Sequence, residues 1–125
     1  MTMTEDEIRL AVPAAPTFAR LARLTVAGLA TRIGFSYDEV EDLRIAVGEA
    51  CSLLVGTEGM AGSIELVFKV RPASLDITVT GDHANDPRET ADAGLSRQIL
   101  EAVVDSFDLH PDGVHLSKRR APEPT

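Results

Sequence analysis

Hydrophobic residues between Phe35 and Val55 recur every three or four positions, a spacing that predicts an amphipathic helix. Ser36 followed by Glu39 forms a capping box at its start, because the serine oxygen can accept a hydrogen bond from a free amide while the glutamate bonds back. The stripe that we expect to be buried consists of Val40, Leu43, Val47, Ala50 and Leu54. A second stripe beside it, which mixes acidic and apolar side chains, consists of Asp42, Ala46, Glu49 and Leu53.

The pattern on either side of this helix predicts five strands and two further helices. Alternating apolar residues predict strands at 8–12, 64–70, 75–79, 107–109 and 114–116, and helical spacing predicts helices at 17–33 and 95–104. In the 17–33 helix, one face is predicted to contain Phe18, Leu21, Ala22, Thr25, Leu29 and Ile33, and the opposite face Arg20, Arg23 and Ala27. Strands that follow one another as hairpins favour a mostly antiparallel or mixed sheet. We therefore predict an α+β two-layer sandwich, with about three helices covering one face of the sheet.

At 125 residues the chain is predicted to be one domain, with flexible ends at 1–6 and 121–125. Its formal net charge of −8 argues against binding to nucleic acid or to an anionic membrane surface. No apolar run reaches the ~18 residues that span a bilayer, and the acidic start Glu5-Asp6-Glu7 is unlike a signal peptide. These features predict a cytoplasmic location.

Few side chains offer chemistry of their own. The single cysteine, Cys51, cannot form an internal disulfide, and its place in a helix pattern favours a buried thiol over a reactive one. His83, His110 and His115 lack partners at the spacing of metal ligands, so no metal site is predicted. The chain also contains neither a Walker-type phosphate loop nor the serine-nucleophile motif of hydrolases.

The order of elements, together with two segments, resembles the RsbW-type anti-sigma factors. The segments are FSYDEVEDLRIAVGEACSLLV at 35–55 and GLSRQILEAVVDSFDLHPDGVHLSKR at 94–119. This family consists of small serine protein kinases with the GHKL (Bergerat) ATPase fold of histidine kinases. The resemblance implies a protein that binds an alternative sigma factor and keeps it from RNA polymerase. It also implies a homodimer, and release by an anti-sigma factor antagonist that kinase-active members phosphorylate on a serine.

The residues of the family's ATP site are only partly present. Glu49 matches the glutamate that acts in catalysis, but Leu53 stands where an asparagine one turn later binds Mg²⁺, and leucine offers no oxygen. Asp82 matches the aspartate that contacts adenine, although the two glycines after it are missing. The glycine-rich turn that approaches phosphate is reduced to Gly94, and the segment from 87 to 94 is too short for a lid over ATP. The same residues also have simpler explanations: Glu49 as a solvated or paired carboxylate, and Asp82 as a turn residue.

These departures predict an anti-sigma factor with remnants of an ATP pocket, without a cofactor or a metal ion, and with little ATP hydrolysis. The enzymatic alternative is an active ATP-dependent serine kinase that phosphorylates the antagonist and holds Mg²⁺ in an unconventional way. A third hypothesis is a fold that only dimerises or recruits other proteins. Arg20 and Arg23 match the part of the first helix with which the family contacts its sigma factor, and solvated arginines on a helix face are the alternative explanation.

Overall fold

The described residues form five strands and three α-helices in the predicted order. The strands are β1 (Asp6–Pro13), β2 (Ser63–Val70), β3 (Ser74–Gly81), β4 (Ser106–His110) and β5 (Gly113–Arg119). The helices are α1 (Ala19–Ile33), α2 (Tyr37–Val55) and α3 (Ala93–Val103), and a 3-10 turn, Pro16–Phe18, precedes α1. The structure is a computed structural model, and it describes residues 6–56 and 59–122.

All neighbouring strands are antiparallel, and the sheet order is β1-β2-β3-β5-β4. The strand register aligns apolar residues in two rows across the face of the sheet that the helices cover. One row is Leu10, Leu66, Val79, Val114 and Leu109, and the other is Ile8, Phe68, Ile77, Leu116 and Phe107. The opposite face of the sheet is open. The predicted α+β two-layer sandwich is therefore confirmed.

Helix α2 lies at the centre of the helical layer and contacts α1, α3 and the sheet. Its predicted capping box is complete, because Ser36 Oγ accepts from the Glu39 amide at 3.2 Å and Glu39 Oε1 accepts from the Ser36 amide at 2.7 Å. The predicted stripe is buried: Leu43, Val47, Ala50 and Leu54 completely, and Val40 partly. In the second stripe, Ala46 and Leu53 are buried, and Asp42 and Glu49 are half-buried.

The buried face of α1 differs from the prediction. The residues that α1 buries are Ala22, Val26, Ala30 and Ile33. Leu21 and Leu24, by contrast, are 45% and 57% exposed. The small side chains of Ala22 and Ala30 allow α1 to lie close to its neighbours, where leucines would hold the helix away. The helix is consequently turned so that Arg23 is half-buried, while Arg20 stays exposed.

The predicted flexible ends lie partly outside the described residues, which exclude 1–5 and 123–125. Within the described part, Asp6 pairs with Val70 at the start of β1. After β5, the Ala121 amide donates to Glu39 Oε2 at 2.8 Å, and Arg120 Nη1 donates to the Ile33 carbonyl at 3.1 Å. This segment therefore connects the sheet to the junction of α1 and α2. Over residues 6–56 and 59–122, every helix is too short or too polar to cross a bilayer.

Candidate functional site

A cleft of about 440 Å³ lies between α2, α3 and the segment that joins β3 to α3. Its polar and apolar lining includes Glu49, Ser52, Leu53, Asn85, Thr90 and Ser96. The predicted ATP-pocket remnant Glu49 and Leu53, which replaces the metal-binding asparagine, therefore line the same space. Gly94 lies in the first turn of α3, two positions before Ser96. Asp82 does not line this cleft.

Glu49 makes a hydrogen bond from α2 to α3. Its Oε1 accepts from the Ser96 hydroxyl at 2.8 Å, which joins two residues 47 positions apart. Ser96 is buried with 4% exposure, and Glu49 is half-buried. The carboxylate lies at the N-terminal part of α3, where the helix dipole favours negative charge. The bond links the two helices that form the cleft.

Leu53 belongs to the hydrophobic core, with 4% of its side chain exposed. Mg²⁺ takes oxygen ligands in near-octahedral geometry, usually one or two carboxylates together with phosphate and water oxygens. At this position the protein offers only hydrocarbon, one turn after a carboxylate that already accepts a hydrogen bond from Ser96. The position that matches the family's metal-binding asparagine therefore supplies no oxygen ligand.

Asp82 lies on the open face of the sheet. In β3, Leu75, Ile77 and Val79 point toward the helices and Thr80 points to the other side, and Asp82 follows the strand in a turn. There Asp82 lines a shallow depression that also contains Asp112. On the helix side, the last residue of β3 is Gly81, and a Cβ on it would meet the Ala84 Cβ at 2.9 Å. The structure thus separates Asp82 from Glu49.

The segment from 82 to 92 is a series of short turns. Two amides of this segment donate hydrogen bonds within the protein: Asn85 to the Leu54 carbonyl at 3.0 Å and Glu89 to the Asp86 carbonyl at 3.0 Å. The amide of Ala93, at the start of α3, donates to the Thr90 carbonyl at 3.1 Å. Hydrogen bonds from Arg88 hold the pKa of the Asp86 carboxyl below its usual value. A Cβ added to Gly94 would have no described atom within 4 Å. Steric contact with the described residues therefore does not require a glycine at this position.

A second groove, of about 410 Å³, follows the seam between the start of α1 and α2. We call it the seam groove, and its lining includes Ala19, Arg23, Arg44, Ile45, Gly48 and Ser52. Arg23 lies across Gly48: a Cβ on residue 48 would be 3.3 Å from Arg23 Nη1. Arg20 is exposed and does not line the groove. The two arginines predicted to bind a partner therefore have different surroundings.

Cys51 lies beneath the seam groove with 2% exposure, which confirms the prediction of a buried thiol. Burial raises the pKa of this thiol to about 11, although the nearby charge of Arg23 acts in the opposite direction. Among the described residues, no three histidine, cysteine, aspartate or glutamate side chains are arranged to hold a metal ion.

Three residues of these sites were not singled out by the sequence: Ser96, Arg44 and Gly48. A glycine inside an uninterrupted helix pattern destabilises the helix by about 0.5–1 kcal/mol relative to alanine, so Gly48 carried a detectable signal. Ser96 carried none, because its importance depends on a contact across 47 positions of sequence.

Ser96→Ala is expected to lower the free energy of unfolding by about 1–2 kcal/mol, because it leaves the half-buried Glu49 carboxylate without the Ser96 donor. Urea unfolding measures this change. Ser52→Ala is the matched control, since Ser52 is an exposed helical serine on the same cleft. Equal stabilities of the two variants would show that the bond to Glu49 contributes nothing.

Several proteins of Bacillus species that are named serine-protein kinase RsbW are similar to this chain. The protein of Bacillus pumilus is 40% identical, over 87% of this chain and 81% of its own length. That of Bacillus licheniformis is 32% identical, over 94% and 86% respectively. That of Bacillus subtilis is 37% identical, over 75% and 62%. No protein-family model matches the chain.

Proposed function

The chain belongs to the RsbW-type family of anti-sigma factors and serine-protein kinases, and on that premise we propose that it sequesters an alternative sigma factor. Binding of an anti-sigma factor antagonist releases the sigma factor, which can then join RNA polymerase. Both partners are proteins, and the protein acts as a homodimer without efficient ATP hydrolysis. The formal net charge of −8 is consistent with protein partners rather than nucleic acid.

The observation that carries this proposal is the burial of Leu53 one turn after Glu49. Leu53 is 4% exposed and packs in the core, so the cleft presents hydrocarbon where a nucleotide-bound Mg²⁺ needs oxygen. Glu49 meanwhile accepts a hydrogen bond from Ser96. Asp82 does not line the cleft that contains Glu49, but lines the depression that contains Asp112.

An estimate of the binding free energy supports weak binding of nucleotide. A micromolar site requires roughly 8 kcal/mol of binding free energy, and each charge-assisted hydrogen bond contributes about 1.5–3 kcal/mol. Loss of the metal ligand, the adenine contact and the glycine turn removes half or more of that total, although such contributions need not add. Binding of Mg-ATP is then expected to be millimolar or weaker.

The exposed side of α1 supports the proposal of a protein partner. Helix α1 carries exposed Leu21, Leu24 and Arg20 on the side away from the core, and Arg23 beside α2. We assign Arg20 and Arg23 as candidate partner contacts, because a planar guanidinium forms two parallel hydrogen bonds with a carboxylate.

Binding to sigma factors tests the central claim. Each alternative sigma factor encoded in the source genome is purified and titrated against the protein by calorimetry, and inhibition of transcription by the matching holoenzyme is measured in parallel. We expect one sigma factor to bind with a Kd of about 1 μM or tighter, or roughly 8 kcal/mol. Failure to bind or inhibit any of them would show the proposed function to be wrong.

A second candidate function is an active serine kinase, and two observations favour it. Glu49 is retained at the cleft, and the similar Bacillus proteins are named serine-protein kinases. Titration with Mg-ATP and transfer of labelled phosphate to the antagonist separate the two functions. We expect no binding tighter than about 1 mM and no labelled antagonist. Labelling that Glu49→Gln abolishes would establish the kinase instead.

A further inference from the structure

The seam groove changes from charged to apolar along its length. Only residues 34–36 connect α1 to α2, so the two helices pack side by side in opposite directions. The lining of the groove on α2 runs from Arg44 to Val55, which is about 16 Å at the rise of an α-helix. Arg23 of α1 lies toward the Arg44 end, and Pro16, which precedes α1, lies toward the Val55 end. The groove therefore has two chemically different ends.

The end near the start of α1 is apolar. Its floor consists of Cys51, Val55 and Ile64, which are all buried in the core. Pro16 and Ala19 line the same end, and the small side chain of Ala19 leaves the path along the groove open. The hydrophobic effect favours an apolar group in this part of the groove, because such a group would leave water.

The other end carries two arginines with little to neutralise them. In the described part of the chain, the half-buried Arg23 forms neither a hydrogen bond nor an ion pair. Gly48 leaves room for it, since a Cβ on residue 48 would be 3.3 Å from Arg23 Nη1. Arg44 pairs with Glu41 at 3.4 Å, but this exposed pair is weak enough for another carboxylate to compete. A guanidinium can form two parallel hydrogen bonds with a carboxylate, so this end suits an organic acid.

The groove also has the volume and the charge of a small-molecule site. Its volume of about 410 Å³ lies within the range of such sites, which are mostly apolar with a few polar groups. The charged residues of its lining are Arg23, Arg44 and Glu49, and Glu49 Oε1 already accepts a hydrogen bond from Ser96. The lining therefore has an excess of positive charge in a chain whose formal net charge is −8.

We propose that the seam groove binds a small organic acid with an apolar tail, of the kind of a medium-chain fatty acid. The carboxylate lies between Arg23 and Arg44, and the tail extends past Ala19 over Val55 and Ile64. A neutral apolar molecule would leave Arg23 unpaired, and a small anion would leave the apolar end in contact with water. The inference goes beyond the proposed function and does not depend on it, because this binding requires no sigma factor.

Titration of the full chain with octanoate tests the proposal. Two further probes separate the two ends of the groove: 1-octanol has the same tail without the charge, and acetate has the charge without the tail. Amide chemical shifts, followed by nuclear magnetic resonance, give both the Kd and the place of binding. We expect octanoate to bind with a Kd of about 1 mM or tighter, and 1-octanol and acetate to bind at least about tenfold more weakly. The shifts should lie on the facing sides of α1 and α2.

Three variants assign the binding to the groove. Arg23→Gln removes a charge, whereas Ala19→Leu fills the path of the tail and leaves both arginines in place. Arg32→Gln is the control, since Arg32 is an exposed arginine of α1 that does not line the groove. We expect the first two to weaken octanoate binding about tenfold or more and the control to change it less than twofold. Thermal unfolding establishes that each variant is folded.

Several results would overturn the proposal. One is the absence of octanoate binding to the wild type at about 10 mM. Another is equal binding of octanoate and 1-octanol, or wild-type affinity in Arg23→Gln or Ala19→Leu, because the tail alone would then adsorb without using the groove. Shifts confined to Asn85 and Thr90 would place octanoate in the cleft between α2 and α3 instead. These measurements contain no sigma factor, so failure of the inference is distinct from failure of the proposed function.

Discussion

Leu53→Asn is expected to lower the free energy of unfolding by about 3–5 kcal/mol without creating a Mg-ATP site tighter than about 1 mM. The substitution places the family's metal-binding amide at the family's position. Leu53 is 4% exposed, however, so the change removes buried apolar surface and introduces an amide into the core. Urea unfolding measures the first effect, and calorimetric titration with Mg-ATP measures the second.

We expect no tight nucleotide binding because the residues around position 53 are unchanged in this variant. Asp82 still lines the separate depression that contains Asp112, and the amides of Asn85 and Glu89 remain bonded within the protein. Leu53→Met is the matched control, because it conserves volume and should cost less than about 1.5 kcal/mol. Submillimolar binding of Mg-ATP to Leu53→Asn would mean that the rest of the nucleotide pocket is functional, and would favour the kinase.

Cys51 is expected to make the protein less stable in alkali. Its pKa is raised by burial to about 11, against about 8.5 for an unfolded thiol. The raised value means that the folded state favours the neutral thiol, so the stability is fully present below about pH 8.5 and is lost as pH rises toward 11. The difference in unfolding free energy between wild type and Cys51→Ala should therefore fall by about 2 kcal/mol by pH 10 and about 3 kcal/mol by pH 11.

Comparison with Cys51→Ala isolates this effect, because other groups that titrate in alkali are the same in both proteins. A second measurement is the rate of alkylation at pH 8, which should be at least about tenfold slower than for a free thiol, because Cys51 is buried with 2% exposure and its raised pKa disfavours the reactive thiolate. Parallel pH profiles for the two proteins, or rapid alkylation, would show that Cys51 is accessible rather than buried.

Local patterns determined most of the secondary structure. The capping box of Ser36 and Glu39 depends on residues three positions apart, and both of its hydrogen bonds are present. The same holds for Gly34, which ends α1 with a φ of 101°, a backbone conformation that glycine adopts readily. The alternation in β2 and β3 likewise predicted which side chains face the helices, because successive residues of a strand point to opposite faces.

The predicted buried face of α1 was partly wrong, because helical periodicity does not indicate which side of a helix packs against its neighbours. Leu21 lies on the predicted face and is 45% exposed, whereas Val26 is buried. The buried side of α1 depends on how closely the helix can approach α2 and the sheet. Small side chains such as Ala22 permit the closer contact. Periodicity therefore predicted the helix, and packing selected its buried side.

Residue types and their local spacing are sufficient to predict the order of the elements, the family and the replacement of the metal-binding asparagine by Leu53. Three features depend on the tertiary structure: Asp82 and Glu49 line different depressions, Glu49 accepts a hydrogen bond from Ser96, and the Arg23 side chain lies over Gly48. These three facts join residues that are distant in sequence. Their geometry depends on how whole strands and helices pack, which no local pattern of side chains contains.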